Sequence, residues 1–195
     1  MSKPLDVLLI TPPSRVQVYQ ELSRDFAAIE PPVWSGLIAT FLRQHSCSVA
    51  ILDAEAEGLN HQQTADRIAA IAPRLAVFVI YGQQPSASTQ CMPAGRKVCE
   101  ILTALADIPT LVMGTHPSAL PKRTLLEEPY TYVCQGEGPA TILGLVIALR
   151  APQHSLREVP GLWYMEKGEP VGNAPAQLLT NLDREVPGQA WDLLD

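Results

Sequence analysis

Residues able to do chemistry gather first at Cys134-Gln135-Gly136-Glu137-Gly138-Pro139-Ala140-Thr141. This stretch joins an apolar, β-rich run (Tyr130 to Val133) to an apolar helical pattern (Ile142 to Leu149). Two glycines in such a junction let the backbone approach a ligand closely. Pro139 suits the first helical turn, where its missing N–H costs nothing. The free N–H groups of that turn face whatever lies above the sheet. The chemistry on offer is hydrogen bonding from backbone and short side chains, and no catalytic set stands out.

Similar junctions occur earlier. Pro12, Pro13, Ser14 and Arg15 follow one apolar run, and Asp53, Ala54 and Glu55 follow the next. The third is followed by Gly82, Gln83, Gln84, Pro85, Ser86, Ala87, Ser88 and Thr89. The fourth is followed by Gly114, Thr115, His116, Pro117 and Ser118. Such residues also make ordinary turns. Their recurrence at every junction favours a rim for a large, mostly neutral, amide-rich ligand. No GxGxxG follows the first run and no Walker lysine is present, so the ordinary dinucleotide and NTP readings fail.

These junctions must be positioned by the elements between them. The apolar runs are Val7 to Ile10, Ser48 to Leu52, Ala76 to Tyr81, Thr110 to Met113 and Tyr130 to Cys134. They are continuous rather than alternating, as strands buried on both faces read. Helical periodicity lies between them: Trp34 to Leu42, Ala65 to Ala72, Val98 to Leu105, Ser118 to Leu126 and Ala140 to Arg150. Alternating strand and helix predicts an α/β, doubly wound, flavodoxin-like (Rossmann-like) sheet of five parallel strands. Ligands bind such sheets at the carboxyl ends of the strands. The connection from Thr11 to Pro32 is long, and loops of that length are usually functional or mobile.

Past Arg150 the character changes. Gly161 to Met165 and Pro170 to Asn173 flank a turn at Glu166-Lys167-Gly168-Glu169 and read as an appended β-hairpin. Residues 1–150 are expected to form the binding domain. Residues 151–195 are expected to form a hairpin and a connector toward something absent from the chain.

The 195 residues are 47% apolar with a net charge of −6, enough for a core and unsuited to a nucleic-acid partner. No apolar stretch reaches the ~20 residues of a membrane span. Met1 to Asp6 leads straight into a strand-like run, so no signal peptide is expected. The four cysteines (Cys47, Cys91, Cys99, Cys134) contain no CxxC pair, and three lie in apolar patterns. Buried thiols and a reducing, cytoplasmic setting are expected.

In order and spacing the motifs resemble the N-terminal cobalamin-binding domain of cobalamin-dependent radical S-adenosylmethionine enzymes. The matching residues are Leu8 to Pro13, Pro31-Pro32, Asp53, Gly114 to Pro117, Gly136-Glu137-Gly138, Gly161 to Tyr164 and Trp191-Asp192. The resemblance implies cobalamin held over the strand ends. The binding positions carried over are Pro13, Ser14, Gln83, Gln84, Pro85, Ser86, Ser88, Gly114, Thr115, His116, Gly136, Glu137 and Gly138. Two positions depart from the family pattern: Met113-Gly114-Thr115-His116 has one glycine where two are common, and Pro139 replaces an acid.

Classical cobalamin domains, which ligate cobalt from below through histidine, carry D-x-H-x-x-G. Here Asp53-Ala54-Glu55-Ala56-Glu57-Gly58 has Glu for His and follows the second strand, so it is taken as a chance likeness. The cofactor is therefore expected with its nucleotide base off the cobalt and no histidine in its place. The family's CxxxCxxC is absent, so S-adenosylmethionine and a [4Fe–4S] cluster would belong to a radical barrel supplied in cis or in trans. The reaction implied is of methyltransferase type, and this chain alone would not catalyse it. Two other classes stay open. One is a flavodoxin-like flavin or small-molecule domain, against which Pro12-Pro13 speaks. The other is a non-catalytic interaction module docking through Trp163–Tyr164 and Trp191.

Overall fold

The computed structural model describes residues 4–23, 25, 27–82, 87–151 and 153–194. In chain order its elements are β1 (Val7–Thr11), α1 (Arg15–Tyr19), α2 (Val33–Gln44), β2 (Val49–Asp53), α3 (His61–Ile71), β3 (Leu75–Val79) and α4 (Ala87–Leu105). Then follow β4 (Thr110–Met113), α5 (Thr115–Ala119), α6 (Pro121–Glu127), β5 (Tyr132–Cys134), α7 (Pro139–Arg150), β6 (Leu162–Glu166), β7 (Glu169–Gly172) and α8 (Leu182–Glu185). The sheet order is β2-β1-β3-β4-β5-β6-β7, with β2 through β5 parallel and the last two strands antiparallel.

The continuous apolar strands are buried on both faces, as their sequence predicts. Val7 and Leu9 face α2 and α7, while Leu8 and Ile10 face α3 and α4. All four are fully buried. Each such side chain contributes about 1.5–3 kcal/mol of transfer free energy. Among the described residues, no helix is long and apolar enough to cross a membrane.

The five-stranded sheet with a hairpin appendage is corrected by the structure. β6 continues the sheet, pairing antiparallel with β5 (Tyr132 opposite Tyr164, Val133 opposite Trp163), and β7 pairs with β6. An unpaired β5 would leave an open edge of N–H and C=O groups. Buried Leu162 and Tyr164 also extend the core on the α2/α7 side.

Two helix boundaries also differ from expectation. α4 begins at Ala87, so Ser88 and Thr89 lie in its first turn rather than in a loop. Pro93 inside the helix hid this early portion, because proline usually ends or kinks a helix. The helix expected over Ser118 to Leu126 is two short helices, α6 restarting with Pro121 at its first position.

The polar tail is not a free strand of chain. Leu179, Val186, Ala190 and Leu193 pack on the α2/α7 side of the core. Gly36 of α2 has no side chain, and Gln189 fills that space. Ala190 N–H donates to the Gly36 carbonyl (3.2 Å), and Arg43 Nη1 pairs with both Asp192 oxygens at 2.8 Å.

At the amino end of the sheet, Asp6 is fully buried. It accepts from Arg150 Nε (3.0 Å) and Nη2 (2.6 Å), and from the Ser48 N–H (2.8 Å) and hydroxyl (2.7 Å). Burial pushes its carboxyl up, but the hydrogen bonds from Arg150 and Ser48 outweigh this and hold it far below the usual range. This anchor ties β1 to the end of α7 and leaves the opposite end of the sheet for function.

Candidate ligand-binding site

Strand order reverses at β1, which has β2 on one side and β3 on the other. The loops after β1 and β3 therefore diverge and leave a crevice. A cavity of about 340 Å³ opens there, with Thr11, Ser14, Trp34, Ser35, Val79 and Tyr81 among its walls. Trp34, in the first turn of α2, stacks on Tyr81 with ring centroids 4.8 Å apart and planes at 21°. Burial, with lesser contributions from Cys134 and Glu137, pushes the Tyr81 phenol up to about 12. It stays neutral at physiological pH. Ser35 is fully buried, and its hydroxyl has no hydrogen-bond partner among the described residues.

Glu55 organises the near wall. Its Oε2 accepts from the N–H groups of Ser14 and Arg15, both at 2.7 Å, and its Oε1 lies 3.4 Å from Arg15 Nε. It thereby caps α1 and holds the loop after β1 against the loop after β2. Asp53 is buried, and one of its oxygens accepts from Ala56 N–H (3.1 Å). Burial raises its carboxyl, and the neighbouring Glu55 and Glu57 add to the rise.

The rest of the rim lies over β4 and β5. Gly114 has φ +143°, and a side chain there would overlap the Ile80 carbonyl. Ser88 is fully buried. Its hydroxyl donates to that carbonyl (2.6 Å) and accepts from His116 N–H (3.1 Å), joining the ends of β3 and β4. His116 Nδ1 lies 2.9 Å from Thr89 Oγ1. Burial first, then the Arg123 charge, lowers its imidazole, favouring the neutral ring.

The two glycines beside Glu137 differ. Gly136 (φ +107°) has, among the described residues, no heavy atom within 4 Å of a would-be Cβ, and its N–H donates to Ser118 Oγ (2.9 Å). A side chain there would point into space left open by the described residues. At Gly138 (φ +102°) a Cβ would lie 2.5 Å from Met113 Cε, so that glycine serves close packing. Glu137 Oε2 accepts from Leu179 N–H (3.0 Å), tying the tail to the rim.

Of the residues singled out in the sequence, Ser14 borders the cavity, with Pro13 beside it. Gly114, Thr115, His116, Gly136, Glu137 and Gly138 form the second stretch of rim. Ser88 lies beneath it, engaged with backbone. Gln83, Gln84, Pro85 and Ser86 lie outside the described residues. Sequence reasoning missed Trp34, Ser35 and Tyr81 as site residues, because their apolar neighbours assign them to the core. Pro31-Pro32 just before Trp34 was the available signal, since it starts α2 level with the strand ends.

All four cysteines are buried, as their apolar surroundings predict. Burial pushes Cys99 and Cys134 up to about 11, so both stay protonated. Among the described residues, no group of three or more His, Cys, Asp or Glu could hold a metal ion.

The model of the B12 binding domain family matches residues 22–146, from before α2 to within α7. No curated protein matches the chain. Among solved structures, OxsB, a cobalamin-dependent S-adenosylmethionine radical enzyme with aqua-cobalamin bound, superposes with a TM-score of 0.72. It shares 19% identity, over 98% of this chain and 25% of that one. The radical S-adenosylmethionine methyltransferase TsrM from Kitasatospora setae, with cobalamin and a [4Fe–4S] cluster bound, superposes with a TM-score of 0.67. It shares 18% identity, over 91% of this chain and 30% of that one. The likeness is one of fold, and this chain spans 25% to 30% of the length of those structures.

Proposed function

The chain belongs to the B12 binding domain family, and from that premise we propose that it holds cobalamin over its strand ends for a cobalamin-dependent radical S-adenosylmethionine reaction of methyltransferase type. The single observation that carries this reading is the Gly136 cradle, with open space where a side chain would stand. It lies on the same sheet edge as the cavity at the β1/β3 switch point.

The residues present fit the group. Cobalamin carries many neutral amides on a broad corrin plane, and the rim offers backbone N–H groups, hydroxyls and a neutral imidazole. The assignments are Pro13, Ser14, Gly114, Thr115, His116, Gly136, Glu137 and Gly138, with Gln83 to Ser86 as further candidates. Ser88 would act from below by fixing His116. When bound, cobalamin supplies cobalt-centred group-transfer chemistry, for which the protein provides placement and electrostatics.

The chain's own part is to bind, orient and exclude water. Glu55 is committed to the α1 backbone, which agrees with a cofactor whose lower face takes no protein histidine. Past Arg150, the hairpin and tail would lead to a radical barrel, in cis or in trans. That barrel would supply the iron–sulfur cluster and S-adenosylmethionine site, in a cytoplasmic setting.

The experiment is reconstitution with hydroxocobalamin, desalting and a visible spectrum. Retained cobalamin absorption at near one equivalent supports the reading. A colourless protein favours the interaction-module alternative.

A further inference from the structure

We propose that Trp163, acting through Gln135, is a positioning residue for the Gly136 turn, so that β6 and β7 are part of the ligand-binding apparatus. The inference rests on the cobalamin reading of that turn and goes further, to what sets its shape.

The turn is poorly determined by its own residues. Gly136 and Gly138 both sit at positive φ and carry no side chain. Glycine loses more conformational freedom on folding than any other residue, so a turn with a pair of them is costly to order. Such a site is preorganised only where its neighbours hold it. Here four hydrogen bonds reach outward from Gln135, Gly136 and Glu137. Gln135 N–H donates to the Gly161 carbonyl (2.8 Å), and Gln135 Oε1 accepts from Trp163 Nε1 (2.9 Å). Gly136 N–H donates to Ser118 Oγ (2.9 Å), and Glu137 Oε2 accepts from Leu179 N–H (3.0 Å). Gly161, Trp163 and Leu179 all lie past Arg150.

The bond between Gln135 and Trp163 is the one that the surrounding strands are shaped to make. Trp163 lies on β6 opposite Val133 of β5. Gln135 follows β5 at the next position on the same face, which makes it the diagonal neighbour of Trp163. On the other side, Gly172 of β7 is the register partner of Trp163, and a Cβ there would overlap the indole. β7 thus gives up a side chain to seat the ring. At Gly161 a Cβ would lie 2.6 Å from the Gln135 carbonyl oxygen, so the start of β6 also depends on glycine to come this close to the turn. Trp163 and Gln135 are half-buried, and an indole N–H can only donate. The Gln135 carbonyl is the acceptor that it meets.

The test is a double-mutant cycle on the full chain, read by equilibrium dialysis against hydroxocobalamin. Trp163→Phe keeps a ring over Gly172 and removes the donor. Gln135→Leu keeps the size and removes the acceptor. Each should weaken binding about fivefold, and the double variant should also lose about fivefold rather than about twenty-five-fold, because both changes remove one bond. By linkage, a ligand that needs the turn in this shape tightens the bond that holds it. Solvent exchange of the Trp163 indole proton, followed by nuclear magnetic resonance, should therefore slow when hydroxocobalamin is added. That measurement is made on the wild type and decides the matter even if a variant fails to fold. Single variants that melt lower by circular dichroism yet bind as wild type overturn the proposal and assign the pair to the fold. Losses that add in the double variant overturn it too, placing Gln135 directly on the ligand. So does indole exchange that the ligand leaves unchanged. Each of these results leaves the cobalamin reading intact. Wild-type protein that retains no hydroxocobalamin overturns the cobalamin reading itself, and this role with it.

Discussion

Trp34 and Tyr81 stack across the mouth of the switch-point cavity, their centroids 4.8 Å apart. One belongs to the start of α2 and the other to the loop leaving β3, so the pair joins the two elements that diverge at the reversal of strand order. Trp34 is nevertheless 47% exposed, too open to be a core residue alone.

Trp34→Ala should therefore have two separable effects. Loss of the stacked pair should cost about 0.5–1.5 kcal/mol of stability, read by chemical denaturation. Cobalamin affinity should fall about fivefold, because the cavity loses a wall. Unchanged affinity with lowered stability would assign the pair to the fold alone.

The glycines flanking Glu137 should respond differently to valine. A β-branched residue at either positive φ is strained by about 1–3 kcal/mol. Gly136→Val places its Cβ in space left open by the described residues, so it should stay folded and lose cobalamin binding more than about tenfold. Gly138→Val meets Met113 and should lose more stability than Gly136→Val. Circular dichroism melts and equilibrium dialysis on both variants check this. A Gly136→Val variant that binds as wild type would remove the cradle from the site.

The Asp6 anchor predicts a pH effect remote from ligand binding. Its carboxyl is held below the ordinary value of 3.8 in the folded protein. Its stabilisation is therefore fully present above that ordinary value and is lost as pH falls toward the folded one. Asp6→Asn should cost about 3 kcal/mol near neutrality, since it leaves the partly buried Arg150 without its counter-charge. It should also flatten the acid limb of the stability profile. An acid limb of unchanged slope in the variant would show that other carboxylates govern acid unfolding.

The bound cofactor should show no nitrogen on its lower face. No D-x-H-x-x-G follows β1, and the Glu55 carboxylate after β2 is committed to α1. Electron paramagnetic resonance of the reduced cob(II) form should lack axial nitrogen superhyperfine splitting. A clear splitting would point to the tail base or to His116.

Much of this was legible in the sequence, for physical reasons. Leu8-Leu9-Ile10 and Ala76-Val77-Phe78 had to be strands buried on two faces, because an unbroken apolar run fits no half-exposed strand. The positive φ of Gly136 was legible because a tight turn from strand to helix favours glycine. The seven-stranded sheet was not, since the pairing of Tyr164 with Tyr132 is long-range and leaves no local mark. Ser35 was illegible for another reason. Inside Trp34 to Leu42 it reads as one polar residue on an amphipathic helix, and only the three-dimensional structure reveals that its hydroxyl lacks a partner among the described residues. Glu55 has a role that its spacing to Asp53 could not disclose, because its partners Ser14 and Arg15 lie on the loop after β1, far away in sequence.

The central claim is that the strand ends of this chain form a cobalamin site. Equilibrium dialysis of the 195-residue protein against hydroxocobalamin, with flavin mononucleotide in parallel, tests it most directly. The account predicts retention of near one equivalent of cobalamin with a Kd on the order of micromolar or tighter, and no retention of the flavin. No cobalamin retained at protein concentrations of about tens of micromolar, or preferential retention of the flavin, would contradict it.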